Sequence, residues 1–403
     1  MKFSDTMICL SSKDYLRAGT VILILFCTYP FVFNRVFLLP SIPILMIVTV
    51  LFASIKGVCG GARLQKSLVI IGIFQGFSFF ISSLVHFDFL YLKQIVYILW
   101  AFSLIILINS IGLKSFLYLF NRIILIVAFL GTFSFLLSLI TGNVPVFEYK
   151  ALDDRDFGRV FFTFTNTNIG SFIRYAGIFD EPGAMAYWGM FSLLTNKLYV
   201  NDSAIELPLI VFLCFTFSMA FYIQLVIYVI LFMNEGLPIG KKALLLSILF
   251  LLVVWIISII PQDSILYQFT ISRFKINEST GLLNGDNRSD LMNLAKSYFI
   301  DNPIFGIGPS RFGSLEYMSD NPFETLAKDG IFGTFFLYLP LIAVVKKGIK
   351  YRQLFYASII LLVGYMQRPF HIQIIHFVFL YIVYLISLEY GNNMYAPKNE
   401  NVR

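Results

Sequence analysis

Long apolar segments follow one another along almost the whole chain, and they limit the possible folds more than any other feature of the sequence. A helix needs about 20 apolar residues to cross the hydrocarbon core of a bilayer. Hydrophobic residues make up 58% of the 403 positions, charged residues make up 13%, and the mean hydropathy is +0.80. These values exclude an ordinary soluble protein and predict an all-α, polytopic membrane protein.

Twelve segments are apolar enough to be candidate transmembrane helices. The seventh and eighth belong to one continuous apolar run from Leu207 to Met233. This run forms either one tilted helix or two short helices that meet at a break near Ser218. The segments lie at residues 15–33, 36–55, 67–85, 94–113, 123–141, 183–200, 207–219, 220–233, 243–260, 327–345, 353–366 and 371–388.

Lysine and arginine are distributed unevenly between the two faces that twelve spans would create. With both termini in the cytoplasm, seventeen basic residues lie inside and three lie in short outside loops. Because cytoplasmic loops carry an excess of Lys and Arg, this pattern predicts a multi-pass membrane protein with both termini in the cytoplasm. A single helix at 207–233 would move the basic stretch 346–352 outside, which favours two helices there. The inside residues are Lys2, Lys13, Arg17, Lys56, Arg63, Lys66, Lys114, Arg122, Lys197, Lys241, Lys242, Lys346, Lys347, Lys350, Arg352, Lys398 and Arg403, and the outside residues are Arg35, Lys93 and Arg368.

Two large loops, at residues 142–180 and 261–325, face the periplasm in this topology and are expected to contain short helices. Residues 1–403 then form a single integral membrane domain. In the second loop, apolar residues recur at helical spacing and predict a short amphipathic helix from about Ser289 to Ile300, ended by Asn302-Pro303. Basic residues sit at segment ends rather than on one polar face, so no nucleic-acid partner is expected.

Short motifs in both loops carry a family resemblance. Those of the second loop are Asn287-Arg288-Ser289, Asn302-Pro303 with Gly306 and Gly308, and Asn321-Pro322-Phe323 with Leu326, Gly330 and Gly333; the first loop ends with Arg174, Gly177 and Asp180-Glu181-Pro182-Gly183. Together they resemble the O-antigen ligase and O-antigen polymerase family of membrane glycosyltransferases. Ligases of that family often carry a His before the Asn of the second loop. This chain has Asp320 there, which favours a polymerase.

The resemblance implies a protein of the bacterial inner membrane. It also implies transfer of a glycan from one lipid pyrophosphate to the terminal sugar of another lipid-linked repeat unit, with inversion at the anomeric carbon. Arginine suits the leaving group because its guanidinium grips phosphate oxygens in a bidentate manner. The candidates for this task are Arg174, Arg288 and Arg311. Glu181 and Asp320 are candidate bases for the attacking hydroxyl. Asp286, which is also available as an acceptor, and Asn321 complete the expected substrate-binding set.

Neither a cofactor nor a metal is expected, since the sequence lacks a His pair or an acidic cluster with ligand spacing. The implied partners are undecaprenyl-pyrophosphate-linked oligosaccharide units, membrane lipid, a chain-length regulator and a flippase. Three alternatives stay open. One is the ligase of the same family, the second is a twelve-helix flippase or secondary transporter, and the third is a structural membrane protein.

Histidine is not assigned a catalytic role. The three histidines are His86, in a short outside loop, and His371 and His376, in or beside the last helix. A lone His at the end of a helix is usually interfacial or satisfied by a hydrogen bond. The charged residues Arg122, Lys93 and Glu389 lie near segment ends, where we expect their side chains to reach the interface.

Overall fold

The computed structural model describes residues 11–28, 42–59, 61–140, 172–179, 181–233, 289–315, 321–367 and 373–395, together with short strands between 147 and 169 and the single residues Tyr267 and Lys275. Fourteen α-helices lie within this part of the chain. They are α1 (Ser12–Thr28), α2 (Ile42–Cys59), α3 (Lys66–His86), α4 (Leu90–Ile111), α5 (Leu113–Ile140), α6 (Pro182–Thr195), α7 (Ser203–Cys214), α8 (Met219–Tyr228), α9 (Ser289–Asp301), α10 (Pro309–Gly313), α11 (Glu324–Leu337), α12 (Leu339–Gly348), α13 (Arg352–Gln367) and α14 (Ile374–Tyr395). Helices α6 and α8 continue as π-helical turns, Asn196–Val200 and Val229–Met233.

Eleven of the twelve predicted segments coincide with helices, and the segment 243–260 lies outside the described residues. Three of the described helices, α3, α4 and α5, are long and apolar enough to cross a membrane. A fourth span is present if α11 and α12, which are bent by 49° at their junction, count as one. The protein is therefore a candidate multi-pass membrane protein, but the expected number of about twelve spans is not shown.

The predicted break near Ser218 is present. Helix α7 ends at Cys214, Phe217 has a left-handed backbone with φ 50°, and the Ser218 hydroxyl accepts the Phe221 N–H at 3.4 Å as the N-cap of α8. The carbonyl oxygens released at the end of α7 have local donors, since the Tyr222 hydroxyl donates to Cys214 at 2.6 Å. Such partners are needed where a helix is interrupted in an apolar environment.

The first large loop differs from its prediction because it holds strands where short helices were expected. Five strands form two small antiparallel sheets, β1-β2-β3 and β4-β5. Their bounds are Phe147–Tyr149, Gly158–Val160, Phe164–Thr165, Thr167–Ile169 and Phe172–Arg174. Aromatic and β-branched residues recur through this loop and favour extended backbone. In the second loop, the predicted helix at 289–300 is confirmed as α9.

The bundle is organised around two helices that are buried along most of their length, α6 and the first half of α14. Phe191 of α6 stacks on Phe379 of α14 with ring centroids 3.6 Å apart, and Trp188 and Phe120 pack beside them. A helix that is apolar on all sides belongs in the interior of such a bundle. By contrast, α2 and α3 expose rows of large apolar side chains, which suits helices that face lipid.

Several segments that connect helices contact one another at one end of the bundle, which we call the loop end. There the His86 Nε2 atom lies 3.0 Å from the Phe305 carbonyl oxygen, joining the α3–α4 connection to the second large loop. The end of the first large loop reaches the break between α7 and α8, where Arg174 Nη1 donates to the Phe217 carbonyl oxygen at 3.4 Å. With consecutive helices alternating in direction, α6, α11 and α14 begin at the loop end.

Candidate functional site

Helix α11 is unwound in its second turn, at Gly330, which has φ 61° and ψ −169°. Residues 303–308 lie along this turn and bond to it through the backbone. Ile307 N donates to Ala327 O at 2.9 Å and Gly308 N donates to Lys328 O at 3.0 Å. In the other direction, Ile331 N donates to Pro303 O at 2.8 Å and Phe332 N donates to Ile304 O at 3.0 Å. We call this pairing of 303–308 with 327–332 the clamp.

Glycine is required where the two segments of the clamp cross. A Cβ atom on Gly330 would collide with the Ile304 carbonyl oxygen, and one on Gly306 would collide with the Lys328 carbonyl group. Both glycines also have positive φ, which L side chains rarely adopt. The glycines that carry the family resemblance therefore have a structural role, because they let loop backbone approach an interrupted helix.

Three ionisable side chains are buried in the turn of α11 that the clamp covers. Glu324, Lys328 and Asp329 are 8%, 8% and 3% exposed. The Lys328 ammonium donates to the Glu324 carboxylate and also lies over the Phe312 ring, 4.7 Å from its centroid. The Tyr91 hydroxyl of α4 lies between the Lys328 carbonyl oxygen, at 3.2 Å, and the Asp329 carboxylate. Buried charges in an apolar helix are costly, and they mark functional sites in membrane proteins.

A row of aromatic rings extends from this turn towards the start of α6. Tyr338, His376 and Tyr365 have ring centroids 4.5 to 5.6 Å apart, and Tyr187 lies 6.1 Å from Tyr365. His376 is fully buried, and within the described residues neither of its ring nitrogens has a hydrogen-bond partner. The burial of His376 contradicts the expectation that it is interfacial, and the described residues do not supply the hydrogen bond that would satisfy it.

Asp88 anchors the second loop to the α3–α4 connection. Its carboxylate accepts the Ser310 N–H and hydroxyl, both at 2.7 Å, and the Leu90 N–H at 2.9 Å. Burial acts to raise the pKa of the Asp88 carboxyl. The hydrogen bonds from Leu90 and Ser310 and the charge of His86 outweigh burial and hold that pKa below its ordinary value. The carboxylate form therefore holds the start of α10, the helix that carries Arg311.

The predicted site residues are placed at two parts of the loop end. Arg311 is exposed on α10, and Asn321 is 1% exposed at the entry to α11, where its side-chain oxygen accepts the Phe323 N–H at 3.0 Å. These two residues belong to elements that border the clamp. Arg174 is half-buried at the end of β5, and Glu181 occupies the N-cap position of α6 without bonding its side chain there.

The link between the two parts is the aromatic row, since Tyr187 shares α6 with Glu181 and contacts Tyr365. Asp286, Arg288 and Asp320 lie outside the described residues, so their assignment stays a prediction. The three charged residues expected to reach the interface each have a partner in the structure. Arg122 pairs with Asp202 at 3.1 Å, Glu389 accepts the Tyr199 hydroxyl, and Lys93 lies 5.4 Å from the centre of the Tyr97 ring.

Sequence reasoning missed Glu324, Lys328, Asp329 and their contact with Tyr91. A signal was present, because Lys328 and Asp329 fall inside the predicted apolar segment 327–345, and ionisable residues within a span indicate function. Chemically, the turn offers carboxylates that can accept a proton and a lysine that can offset negative charge. The aromatic rings beside it are buried against one another, so they join the turn to α6 through packing.

Comparisons of the chain with models of known protein families, with curated proteins and with solved structures found no match.

Proposed function

We propose that the protein is an O-antigen polymerase, a membrane glycosyltransferase that extends a surface polysaccharide on an undecaprenyl-pyrophosphate carrier. The observation that carries the proposal is the buried charged turn of α11 under the clamp. It lies beside the loop that bears Arg311 and is linked through aromatic rings to the helix start that bears Glu181. This arrangement gathers at one end of the bundle those motif residues of both loops that belong to the described part of the chain.

The proposed topology brings this end to the outer face of the inner membrane. Lipid-linked repeat units present their pyrophosphate and sugars at that face, within reach of loops that rest on the ends of helices. An acceptor glycan enters from the periplasm, while its polyprenyl chain stays among the apolar side chains exposed on the outer helices. Both substrates then meet between the two large loops.

In the proposed reaction, the bond between the anomeric carbon and the pyrophosphate oxygen breaks, and a bond from the acceptor hydroxyl oxygen to that carbon forms. The leaving pyrophosphate takes the electron pair, and Arg174, Arg288 and Arg311 stabilise its charge. The hydroxyl proton passes to a carboxylate. Asp329, buried beside Tyr91, joins Glu181 and Asp320 as a candidate for this base.

The first experiment is complementation of a deletion strain, read as the ladder of lipopolysaccharide chain lengths. We expect the deletion to leave lipid A-core capped with a single repeat unit, and the intact gene to restore the ladder. Arg311→Ala and Arg174→Ala should each lose the polymer at normal protein level. Arg174→Lys should fail as well, because an ammonium lacks the bidentate geometry of a guanidinium.

Lys296→Ala is the matched control for Arg311→Ala, because Lys296 is an equally exposed cation on α9 of the same loop. It should leave the ladder unchanged. The purified protein in lipid, supplied with lipid-pyrophosphate repeat units, should also polymerise at an undiminished rate in excess EDTA. Normal ladders from both arginine-to-alanine variants would contradict the pyrophosphate assignment, and loss of all surface glycan in the deletion strain would contradict a polymerase.

A flippase or secondary transporter is the second candidate, and the bend of 49° between α11 and α12 favours it. Interrupted helices with buried charges also form substrate sites in transporters. A transporter needs two compartments separated by a membrane, whereas a polymerase does not. A polymerase elongates glycans in detergent micelles, whereas a transporter produces no longer glycan there and moves lipid-linked units only across a sealed bilayer.

A further inference from the structure

An open cleft with a volume of about 610 Å³ lies between the end of α12 and the middle of α14. Three lysines line it, Lys346, Lys347 and Lys350. Tyr351, Tyr384 and Ser387 line it as well. The clamp lies in the first turns of the bent pair α11–α12 and the cleft lies at the end of that pair, where the predicted topology assigns its lysines to the cytoplasmic face. No carboxylate appears among the described residues that line it.

The three lysines bring positive charge to the wall of the cleft. Lys347 is half-buried and is held by one bond, from Nζ to the Ser387 carbonyl oxygen at 3.1 Å. Lys346 and Lys350 are exposed, and the Lys350 ammonium lies 5.3 Å from the centre of the Tyr351 ring. Helix α12 ends at Gly348, so Lys346 and Lys347 also complement its dipole. Complementing the helix dipole does not explain why Lys350, which follows the end of α12, also lines the cleft, nor why the cleft is this large.

Apolar surface continues from the cleft along the same helix. Ile342 is 40% exposed one turn before the lysines, and Ile349 is 84% exposed between Lys347 and Lys350. A ligand with a phosphate and two long apolar chains therefore matches the surface better than a small free anion does. Basic pockets between transmembrane helices on the cytoplasmic side are sites of this kind for anionic lipid headgroups.

We propose that this cleft binds the headgroup of an anionic phospholipid, with the phosphodiester held by Lys346, Lys347 and Lys350 and the acyl chains lying along the side of α12 that exposes Ile342. The volume lies within the range of small-molecule sites, about 300–1,000 Å³. A bound lipid would join α12 to α14. Those two helices also carry, at their other ends, the bend beside Tyr338 and the buried His376.

The test is native mass spectrometry of the purified full chain, exchanged into mixed micelles that contain either phosphatidylglycerol or phosphatidylcholine. Wild type should retain phosphatidylglycerol preferentially. The triple variant Lys346→Gln, Lys347→Gln and Lys350→Gln should lose that preference, by roughly fivefold for each lysine removed. The double variant Lys346→Gln and Lys350→Gln spares the Lys347 bond to Ser387, so it serves if the triple variant does not fold.

The matched control removes three exposed lysines predicted to lie at the same face, Lys13→Gln, Lys66→Gln and Lys114→Gln. It lowers the net charge equally and should keep the preference. Equal loss in the control and the cleft variants would mean that net charge, and not the cleft, attracts the lipid, and would overturn the proposal. Inorganic phosphate should displace little lipid. Complete displacement of the lipid by phosphate alone would identify a site for the free anion, and this result would also overturn the lipid proposal.

Discussion

Lys328 and Glu324 carry opposite charges in a buried turn of α11, so removal of either side chain leaves the other charge in the protein interior. We expect Glu324→Gln to lower the free energy of unfolding by about 3–5 kcal/mol, the usual cost of an uncompensated buried charge. The double variant Glu324→Gln and Lys328→Met should recover most of this loss, because it removes both members of the pair and leaves Asp329 its contact with Tyr91. Thermal unfolding in detergent and the protein level in membranes measure both effects.

The same pair of variants separates folding from function. If the charges of the turn serve the transfer reaction, the double variant is stable and makes no polymer. A normal polysaccharide ladder from the stable double variant would show that the ion pair only supports the fold. Lys197→Met with Glu206→Gln is the control, because that pair, at 3.0 Å, connects the turn after α6 to α7 and not the loop end. It should leave the ladder intact.

The attachment of the second loop through Asp88 should make the stability of the protein depend on pH. Its pKa is held below the ordinary value of 3.8 in the folded protein, so its hydrogen bonds to Ser310 contribute fully at pH values above 3.8. They are lost as the pH falls through the lowered pKa. Wild type should therefore be more stable than Asp88→Asn from neutral pH to about pH 5, and the margin should shrink in stronger acid.

Melting temperatures of the two proteins across this range give the measurement, and Asp290→Asn is the control because Asp290 is an exposed acid of the same loop. It should show no such margin. A margin between wild type and Asp88→Asn that persists unchanged below the lowered pKa would contradict the assignment of the ionised carboxylate to this anchor.

At the scale of elements, the clamp depends on Gly330 more than on any other position of α11. Gly330→Ala would place a methyl group against the Ile304 carbonyl oxygen and would require a backbone conformation that alanine disfavours. We expect this variant to separate the loop from the helix, which should lower the melting temperature and abolish polymer. Limited proteolysis should then cut the chain within residues 303–308.

Gly313→Ala provides the comparison, since a Cβ at Gly313 meets no atom within 4 Å and its φ is not positive. Stability and polymer length should match wild type. If Gly330→Ala behaves as wild type, the turn tolerates a regular helix. The clamp would then not be required for the proposed site.

The sequence predicted helices correctly where residues that are close together in the chain determine them. Apolar length located eleven segments, and Ser218 marked a break because its hydroxyl caps the following helix. The clamp could not be predicted, since it pairs 303–308 with 327–332 through backbone bonds that no side-chain pattern encodes. The strands of the first loop were missed because each has only two or three residues and shows little periodicity. His376 was missed because its burial depends on rings from α12 and α13.

For the molecule as a whole, the expected orientation is tested by reporter fusions. The unequal distribution of basic residues predicts periplasmic activity for fusions at Lys150 and Lys296, and cytoplasmic activity for fusions at Arg63 and Lys347. A cytoplasmic signal at Lys296 would contradict the twelve-span arrangement, because it would put the clamp and the proposed site on the wrong side of the membrane. Fusions at Lys150 and Arg63 check the two faces independently of the second loop.

The clamp also has a consequence for how the protein is made. Residues 303–308 precede α11 in the chain, and the backbone groups around Gly330 find their partners in that earlier segment. If the loop is exported, it must cross the bilayer before α11 can satisfy those groups, because lipid offers them no hydrogen bonds. The insertion machinery therefore receives α11 as a helix interrupted at Gly330. Its first turns should integrate late, once the exported loop has folded back onto them.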